Sequence, residues 1–259
     1  MDISFIILNY QSEQYLKKCI LSIKKNFSDV RHELIIVNND TQALQVDFCK
    51  TNDQILNNYS NLGFSSACNL GAKKANGKIL FFLNPDTEIL DNKLTASLSF
   101  LEKESIGIIA PLLITADGRP QPWSGGKMIT PLNTLAHNLT KKRHFLNSDN
   151  SSIKRLEWVS GAAFLIRKEL FEKVGGFDEN FFMYFEDVDF CKRVRELKKE
   201  IILFPQSVVL HHGGGSIKSI QTQKQAYYTS QDYYFKKHFG PIQAFLIKFI
   251  RNIGLAIRR

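Results

Sequence analysis

The first 111 residues repeat one pattern, and that pattern leaves few folds open. Short, continuous apolar runs, ISFIIL (3–8), ELIIVNN (33–39), KILFFLN (78–84) and IGIIAP (106–111), alternate with segments of helical spacing at 12–26, 65–77 and 91–104. A strand that is apolar on both faces needs cover on both sides, so the runs predict a mostly parallel, Rossmann-like α/β sheet with helices on both faces. Residues 54–57 are a further candidate strand. In SEQYLKKCILSIKKN, Tyr15, Leu16, Cys19, Ile20 and Ile23 share one helical face, and Ser12 is a plausible cap. Ligands of such sheets gather beyond the C-terminal ends of the strands. The polar residues there are Asn9 and Tyr10, Asn38 to Asp40, and Asn84 to Asp86.

The rhythm changes after residue 111. A turn signal falls at Asp117-Gly118, and residues 124–154 are polar, carry Gly125-Gly126 and the run Lys141-Lys142-Arg143, and are expected to form a mobile loop or lid. A strand and a short helix follow over 156–178, closed by Gly175-Gly176. Residues 186–200 read as a helix, IILFP and SVVLHH as strands, and the chain from 222 onward as helical. The net charge of +9 favours acidic partners. No RNP1, zinc-finger or helix-turn-helix pattern supports a nucleic-acid partner. Four scattered cysteines, Cys19, Cys49, Cys68 and Cys191, suit neither a zinc site nor a disulfide framework and read as reduced thiols in a cytosolic protein. The N-terminus lacks the basic region of a signal peptide, and no apolar run reaches the roughly 18 residues of a membrane span.

Four groups of residues carry candidate chemistry. In LNPDTE (83–88), Pro85 ends a strand and holds Asp86 at the rim of the sheet, as a turn carboxylate or as a ligand of Mg²⁺ or Mn²⁺. In FFMYFEDVDFCKRV (181–194), an aromatic wall meets Glu186, Asp187 and Asp189. Such acids suit a helix N-terminus, and apolar neighbours also make a carboxylate a better proton acceptor. In SVVLHHGGGS (207–216), two histidines leave a strand into a glycine turn that a phosphate can approach. In NLGFSSACNLG, Asn61, Gly63, Asn69 and Gly71 punctuate a turn and the start of a helix. Neither GxxxxGK[ST] nor a GxGxxG after the first strand is present, which argues against a Walker loop and a dinucleotide-binding domain.

The stretches FIILNY, ELIIVNND, NLGFSSACN, LFFLNPDTE, WVSGAAFLIRKELFEKVGGFDENFFMYFEDVDFCKR and VVLHHGGGS, spanning about 3–216, resemble in order the family 2 glycosyltransferases of GT-A fold. Within these they resemble rhamnosyltransferase-like proteins of bacterial polysaccharide and O-antigen assembly. The resemblance implies a GT-A domain over 1–221. Residues 1–111 would bind the nucleotide sugar, 112–221 the acceptor, and 222–259 would form a helical basic tail. It implies an inverting, metal-assisted transferase that takes a sugar, foremost rhamnose from dTDP-rhamnose, to a saccharide or polyprenyl-linked acceptor.

Under that resemblance Asp187 is the general base and Glu186 its partner. Asn9, Tyr10, Asn39, Asp40, Gly63, Asn69, Asn84 and Asp86 face the donor. Trp158, Gly161, Tyr184 and Glu186 face the acceptor, and Asp86 with His211 holds Mg²⁺ or Mn²⁺. Trp158, Phe182 and Tyr184 suit core packing equally well. The family's Asp after strand two is Asn38 here, and the first Asp of its DxD motif is Asn84. Asp40 is left to contact the base, or base contacts are weaker, and one strong metal ligand remains.

A UDP-hexose or UDP-N-acetylhexosamine donor is the alternative within enzymes. A basic, non-catalytic membrane-surface or nucleic-acid-binding protein is the alternative outside them. In PIQAFLIKFIRNIGLAIRR (241–259), Ile242, Phe245, Leu246, Phe249, Ile250, Ile253 and Ile257 gather on one side and Lys248, Arg251, Asn252 and Arg259 on the other. Such a helix either lies on an anionic membrane or docks on the domain. With a lipid-linked acceptor, the expected location is cytoplasmic, peripheral at the inner face of the cell membrane.

Overall fold

The computed structural model describes residues 2–45, 52–134, 152–213 and 219–256, with side chains left out for 220 and 253–256. The expected apolar runs form strands β1 (Ile3–Asn9), β2 (His32–Asn38), β3 (Gln54–Asn57), β4 (Ile79–Leu83) and β6 (Ile106–Ile114), and β5 (Thr87–Ile89) follows β4. Later strands are β7 (Gly125–Gly126), β8 (Lys154–Leu156), β9 (Trp158–Val159), β10 (Ala163–Arg167) and β11 (Glu200–His211). Helices are α1 (Glu13–Asn26), α2 (Gly63–Lys74), α3 (Leu94–Ser97), α4 (Lys168–Val174), α5 (Glu186–Glu196), α6 (Ile220–Phe239) and α7 (Pro241–Ala256). The main sheet runs β3-β2-β1-β4-β10-β6-β11-β5, with β8 added on β11. Strands β1, β2, β3, β4, β6 and β11 share one direction, while β10, β5 and β8 run against it. One continuous sheet therefore joins the two halves of the chain.

Both faces are covered. Leu16, Cys19, Ile20 and Ile23 of α1 and Leu94 of α3 pack with Phe5, Ile7, Leu34 and Phe81 on one face. On the other, α2, α4, α5 and α6 close over Ile6, Val37 and Phe82. Phe82, Phe164, Phe171, Phe177 and Phe190 interlock there, with Phe177 and Phe190 centred 4.9 Å apart. Offset and edge-on contacts of this kind bury large apolar rings in favourable geometry. They anchor α4 and α5 on β4 and β10.

Several boundaries depart from expectation, each for a physical reason. The helix expected over 91–104 is only α3 followed by a 3₁₀ turn, Leu98–Glu102. Thr95, Ser97 and Ser99 donate their hydroxyls to the carbonyls three residues back, which tightens the turn. Gly77 does not end α2. A Cβ there would sit 2.6 Å from the Ser4 nitrogen, so this glycine lets the chain pass against β1. Helix α5 stops at Glu196, and Lys198 turns left-handed at φ 58. The two strands expected over 201–212 are one, β11, whose register against β6 shifts between Phe204 and Val208, around Pro205. Of the lid expected over 124–154, residues 135–151 lie outside the described residues; its two flanks are held in β7 and β8.

The tail divides at Gly240 (φ 87) and Pro241. Helix α6 belongs to the domain: Tyr234 and Phe235 are fully buried, and Ser230 Oγ donates to the Met183 carbonyl at 2.7 Å. Helix α7 packs on α6 through Ile247. Arg251, expected on a free basic face, turns inward instead. It makes a forked bond to Asp232 at 2.7 and 3.0 Å and lies 4.5 Å from the Tyr228 ring centre. Ile242, Phe245, Leu246 and Phe249 are exposed, Ile242 by 73%.

Candidate active site

A cleft of about 610 Å³ opens beyond the C-terminal ends of β1, β2 and β4. Of the predicted residues, Tyr10, Asn39, Gly63, Asn84, Asp86, Trp158, Gly161, Tyr184, Glu186, Asp187 and His211 line it; Asn9, Asp40 and Asn69 do not. Asn9 is fully buried and donates to Asn38 Oδ1 at 2.9 Å, bracing β1 on β2. Asp40 accepts the Gln11 N–H at 2.7 Å and is not part of the cleft lining. Asn69 is committed to Phe177 and Glu179, which fixes α2 to the segment before α5. The edge near Tyr10 is a network of neutral amides: Asn39 donates to the Gly63 carbonyl and accepts from Asn58, and Asn38 donates to Asn57.

The Asn84-Pro85-Asp86 turn is clamped from several sides. The Asn84 N–H reaches the Ala162 carbonyl at 2.8 Å, and the Thr87 hydroxyl returns to the Asn84 carbonyl at 2.7 Å. Strand β5 then pairs antiparallel with the end of β11, and the His212 N–H donates to the Asp86 carbonyl at 2.9 Å. This pairing brings His211 Nε2 to 3.3 Å from Asp86 Oδ1. The other ring nitrogen, Nδ1, lies 2.8 Å from Gln121 Oε1. With Nδ1 donating to Gln121, Nε2 presents its lone pair beside the carboxylate. Among the described residues no three His, Cys, Asp or Glu side chains converge on one point. As ligands, Asp86 and His211 on an open cleft wall would make a set of two. It fits a hard cation that completes its shell with phosphate oxygens and water.

Across the cleft, the aromatic segment before α5 enters the helix through two consecutive left-handed residues, Tyr184 (φ 67) and Phe185 (φ 64). Each costs roughly 1–3 kcal/mol and survives only where the surroundings impose it. Here Tyr227 and Tyr234 of α6 pack on them. The three acids of the first turn of α5 then part ways. Asp189 is fully buried, and although burial opposes it, His238 at 2.7 Å, Arg193 at 2.8 Å and Lys237 at 2.6 Å hold its carboxyl below the usual range. It ties α5 to α6.

Asp187 accepts the Gly161 N–H at 3.0 Å and the Val188 N–H at 2.8 Å. Burial raises its pKa against those bonds. Glu186 is buried with Oε2 unpartnered, and burial, then the Asp187 carboxylate, push it well above its usual value. Two adjacent carboxylates share the cost of charge unequally. The backbone donors favour charge on Asp187, while burial beside that carboxylate favours the neutral form of Glu186. The loop 160–162 serves both walls, since Ala162 holds Asn84 and Gly161 holds Asp187.

Trp158 is buried, and its Nε1–H donates to the Lys127 carbonyl at 3.0 Å, so it packs rather than presenting a face. Gln121, Trp123, Ser160, Gln223 and Tyr227 also line the cleft and were not foreseen. Only Trp123 carried a sequence signal, an aromatic directly after Gln121-Pro122.

The sheet order and the carboxylate turn after β4 define a GT-A fold. The structure of GalNAc-T7 with UDP, GalNAc and Mn²⁺ superposes over 91% of this chain and 50% of its own, with TM-score 0.63 and 17% identity. Residues 4–187 match the family described as Glycosyl transferase family 2, and the chain belongs to that family. It is 27% identical over 202 residues to the low-salt glycan biosynthesis hexosyltransferase Agl10 of Haloferax volcanii, an alignment that takes in 75% of this chain and 62% of that protein. It is 23% identical over 229 residues to the rhamnosyltransferase WbbL of Escherichia coli K12, covering 80% and 82%. The chain thus spans less than two thirds of the Haloferax protein and half of GalNAc-T7.

Proposed function

We propose that the protein is an inverting glycosyltransferase that moves a sugar from a nucleotide diphosphate donor to a saccharide or lipid-linked saccharide acceptor. The observation that carries this reading is one cleft with Asp86 and His211 on one wall and Glu186 and Asp187 on the other. Asp86 and His211 would hold Mg²⁺ or Mn²⁺, which would neutralise charge developing on the departing diphosphate. Tyr10 and the amide edge around Asn39 receive the nucleoside. Asp187, oriented by Gly161, accepts the proton of the attacking acceptor hydroxyl. Glu186, carrying its own proton, donates a hydrogen bond to a sugar oxygen. Phe64, Ile129 and Met183 line the same cleft and limit water that would hydrolyse the donor.

Rhamnose from a dTDP donor is the first choice, supported by the likeness to the E. coli rhamnosyltransferase. A UDP-hexose or UDP-N-acetylhexosamine is the alternative, supported by the amide edge. It offers no carboxylate selective for one base, because Asp40 stands outside the cleft. Nucleotide release from a panel of dTDP-, UDP- and GDP-sugars, with and without Mn²⁺, tests the proposal. Release from at least one donor, stimulated by Mn²⁺ and lowered by Asp86→Ala by about 10²-fold or more, is expected. Release from none of them defeats the transferase reading. Release indifferent to Mn²⁺ and to Asp86→Ala removes the metal role.

A further inference from the structure

Helix α6 carries four tyrosines, Tyr227, Tyr228, Tyr233 and Tyr234. The Tyr233 hydroxyl donates to Asp178 at 2.9 Å, and the Tyr234 hydroxyl to the Ile129 carbonyl at 3.0 Å. The Tyr228 ring carries the Arg251 guanidinium, 4.5 Å from its centre. Tyr227 is the one of the four that lines the cleft holding Glu186 and Asp187. Its ring packs against Phe185, with centres 5.2 Å apart, and edge-on to Tyr184 at 5.9 Å. Its hydroxyl makes no hydrogen bond with any described residue, and the side chain is 37% exposed.

The helix that presents this hydroxyl is fastened to the cleft itself. Ser230, three residues on, donates its Oγ to the Met183 carbonyl at 2.7 Å, and Tyr234, seven residues on, reaches Ile129; both Met183 and Ile129 line the cleft. Residues three and seven apart share one face of a helix, so the face that shows Tyr227 is the face that is held. Gln223, one turn earlier, lines the cleft as well. The ring neighbours of Tyr227 outside α6 are Tyr184 and Phe185, which lead directly into Glu186, so the residue belongs to the acid wall. Burial, then Tyr228 and the Asp187 carboxylate, push its pKa to about 12, so the phenol keeps its proton and donates. The match to the transferase family ends at residue 187, which leaves α6 outside the matched segment.

We infer that Tyr227 binds the acceptor sugar: its hydroxyl donates a hydrogen bond to one hydroxyl oxygen of the acceptor ring and so holds a neighbouring hydroxyl toward Asp187. A neutral phenol on the acid wall suits a neutral saccharide, whereas the charged diphosphate of the donor is met on the Asp86–His211 wall. A site that bonds a particular hydroxyl discriminates against a ligand that lacks it. Tyr227 thus selects the acceptor by the place of a single hydroxyl, and α6 is the element through which this chain chooses its acceptor.

The inference rests on the transferase reading, and one set of titrations separates the two. Saturation-transfer NMR is recorded on the full chain with UDP and with methyl pyranosides of gluco, galacto, manno, rhamno and N-acetylglucosamine configuration, then with the monodeoxy analogues of the best-bound one. The proteins are the wild type, Tyr227→Phe, which keeps the ring against Tyr184 and Phe185 and removes only the hydroxyl, and Tyr228→Phe as a control outside the cleft lining. UDP binds all three alike. At least one pyranoside binds the wild type and Tyr228→Phe equally, and Tyr227→Phe about five-fold more weakly. One monodeoxy analogue binds the wild type as weakly as its parent binds Tyr227→Phe, and Tyr227→Phe does not tell the two apart. Equal pyranoside affinity in the wild type and Tyr227→Phe overturns the assignment. So does the absence of pyranoside binding from the wild type, an equal loss in Tyr228→Phe, a loss of UDP and pyranoside together in Tyr227→Phe, or a loss in Tyr227→Phe that persists for every monodeoxy analogue. If the wild type fails to bind UDP, the donor reading falls, and the pyranoside titrations still decide Tyr227.

Discussion

Glu186 and Asp187 are adjacent in sequence, but their neighbours divide the work between them. Asp187 has two backbone N–H donors, and Glu186 has an unpartnered oxygen and a raised pKa. The sign of the resulting pH dependence follows. Below the ordinary glutamate value of 4.5, Glu186 is neutral in both states and its burial costs little. Above it the unfolded chain sheds the proton while the folded chain keeps it, so this residue's contribution to stability falls as pH rises toward its elevated folded pKa. Glu186→Gln is therefore expected to raise the melting temperature relative to wild type at pH 7–8, with a gain that shrinks toward pH 4.5. Parallel melting curves across that range count against the protonated Glu186. The residue types of this site were legible as acids running into aromatics. The left-handed pair Tyr184-Phe185 and the strained Trp123 were not, because side chains that disfavour φ above zero give no sign of being forced there. Nor could Asp40 be placed: its partner, the Gln11 N–H, lies 29 residues away on a neighbouring loop.

At the level of elements, the strands with continuous apolar runs and helices α1 and α4 were readable, since each carries its own periodicity. Strand β5 was not, because three residues hold too little pattern. It exists through pairing with β11, and that pairing sets Asp86 beside His211. Helix α2 meets the segment before α5 in the same tertiary way. The Phe64 N–H donates to the Phe182 carbonyl at 2.7 Å, and Gly63, at φ 80, has room for no Cβ, which would lie 2.6 Å from that carbonyl oxygen. Gly63→Ala is thus expected to cost about 1–3 kcal/mol in urea unfolding and to weaken UDP binding as α2 shifts against the cleft. Wild-type stability in this variant would show that the close approach does not matter.

Across the whole molecule, a net charge of +9 and the exposed stripe of α7 bear on where the proposed transferase would act. Among the described residues no helix is long and apolar enough to cross a membrane. The rings of Phe245 and Phe249 stack outward at 6.2 Å, beside the half-exposed Lys248. We propose that this surface inserts shallowly into an anionic bilayer, where a lipid-linked acceptor of the proposed transferase would be met. Phe245→Glu with Phe249→Glu is expected to abolish flotation with phosphatidylserine vesicles at low salt while UDP binding persists; unchanged flotation excludes α7 as the contact. The sheet, the cleft and the anchoring of α6 all converge on the carboxylate that Gly161 holds, and its role is the central claim. The direct measurement is turnover of the preferred nucleotide sugar by Asp187→Asn beside donor binding by the same protein. Loss of transfer by about 10³-fold with a donor affinity near wild type is predicted. Transfer at the wild-type rate would contradict the assignment of Asp187 as the base.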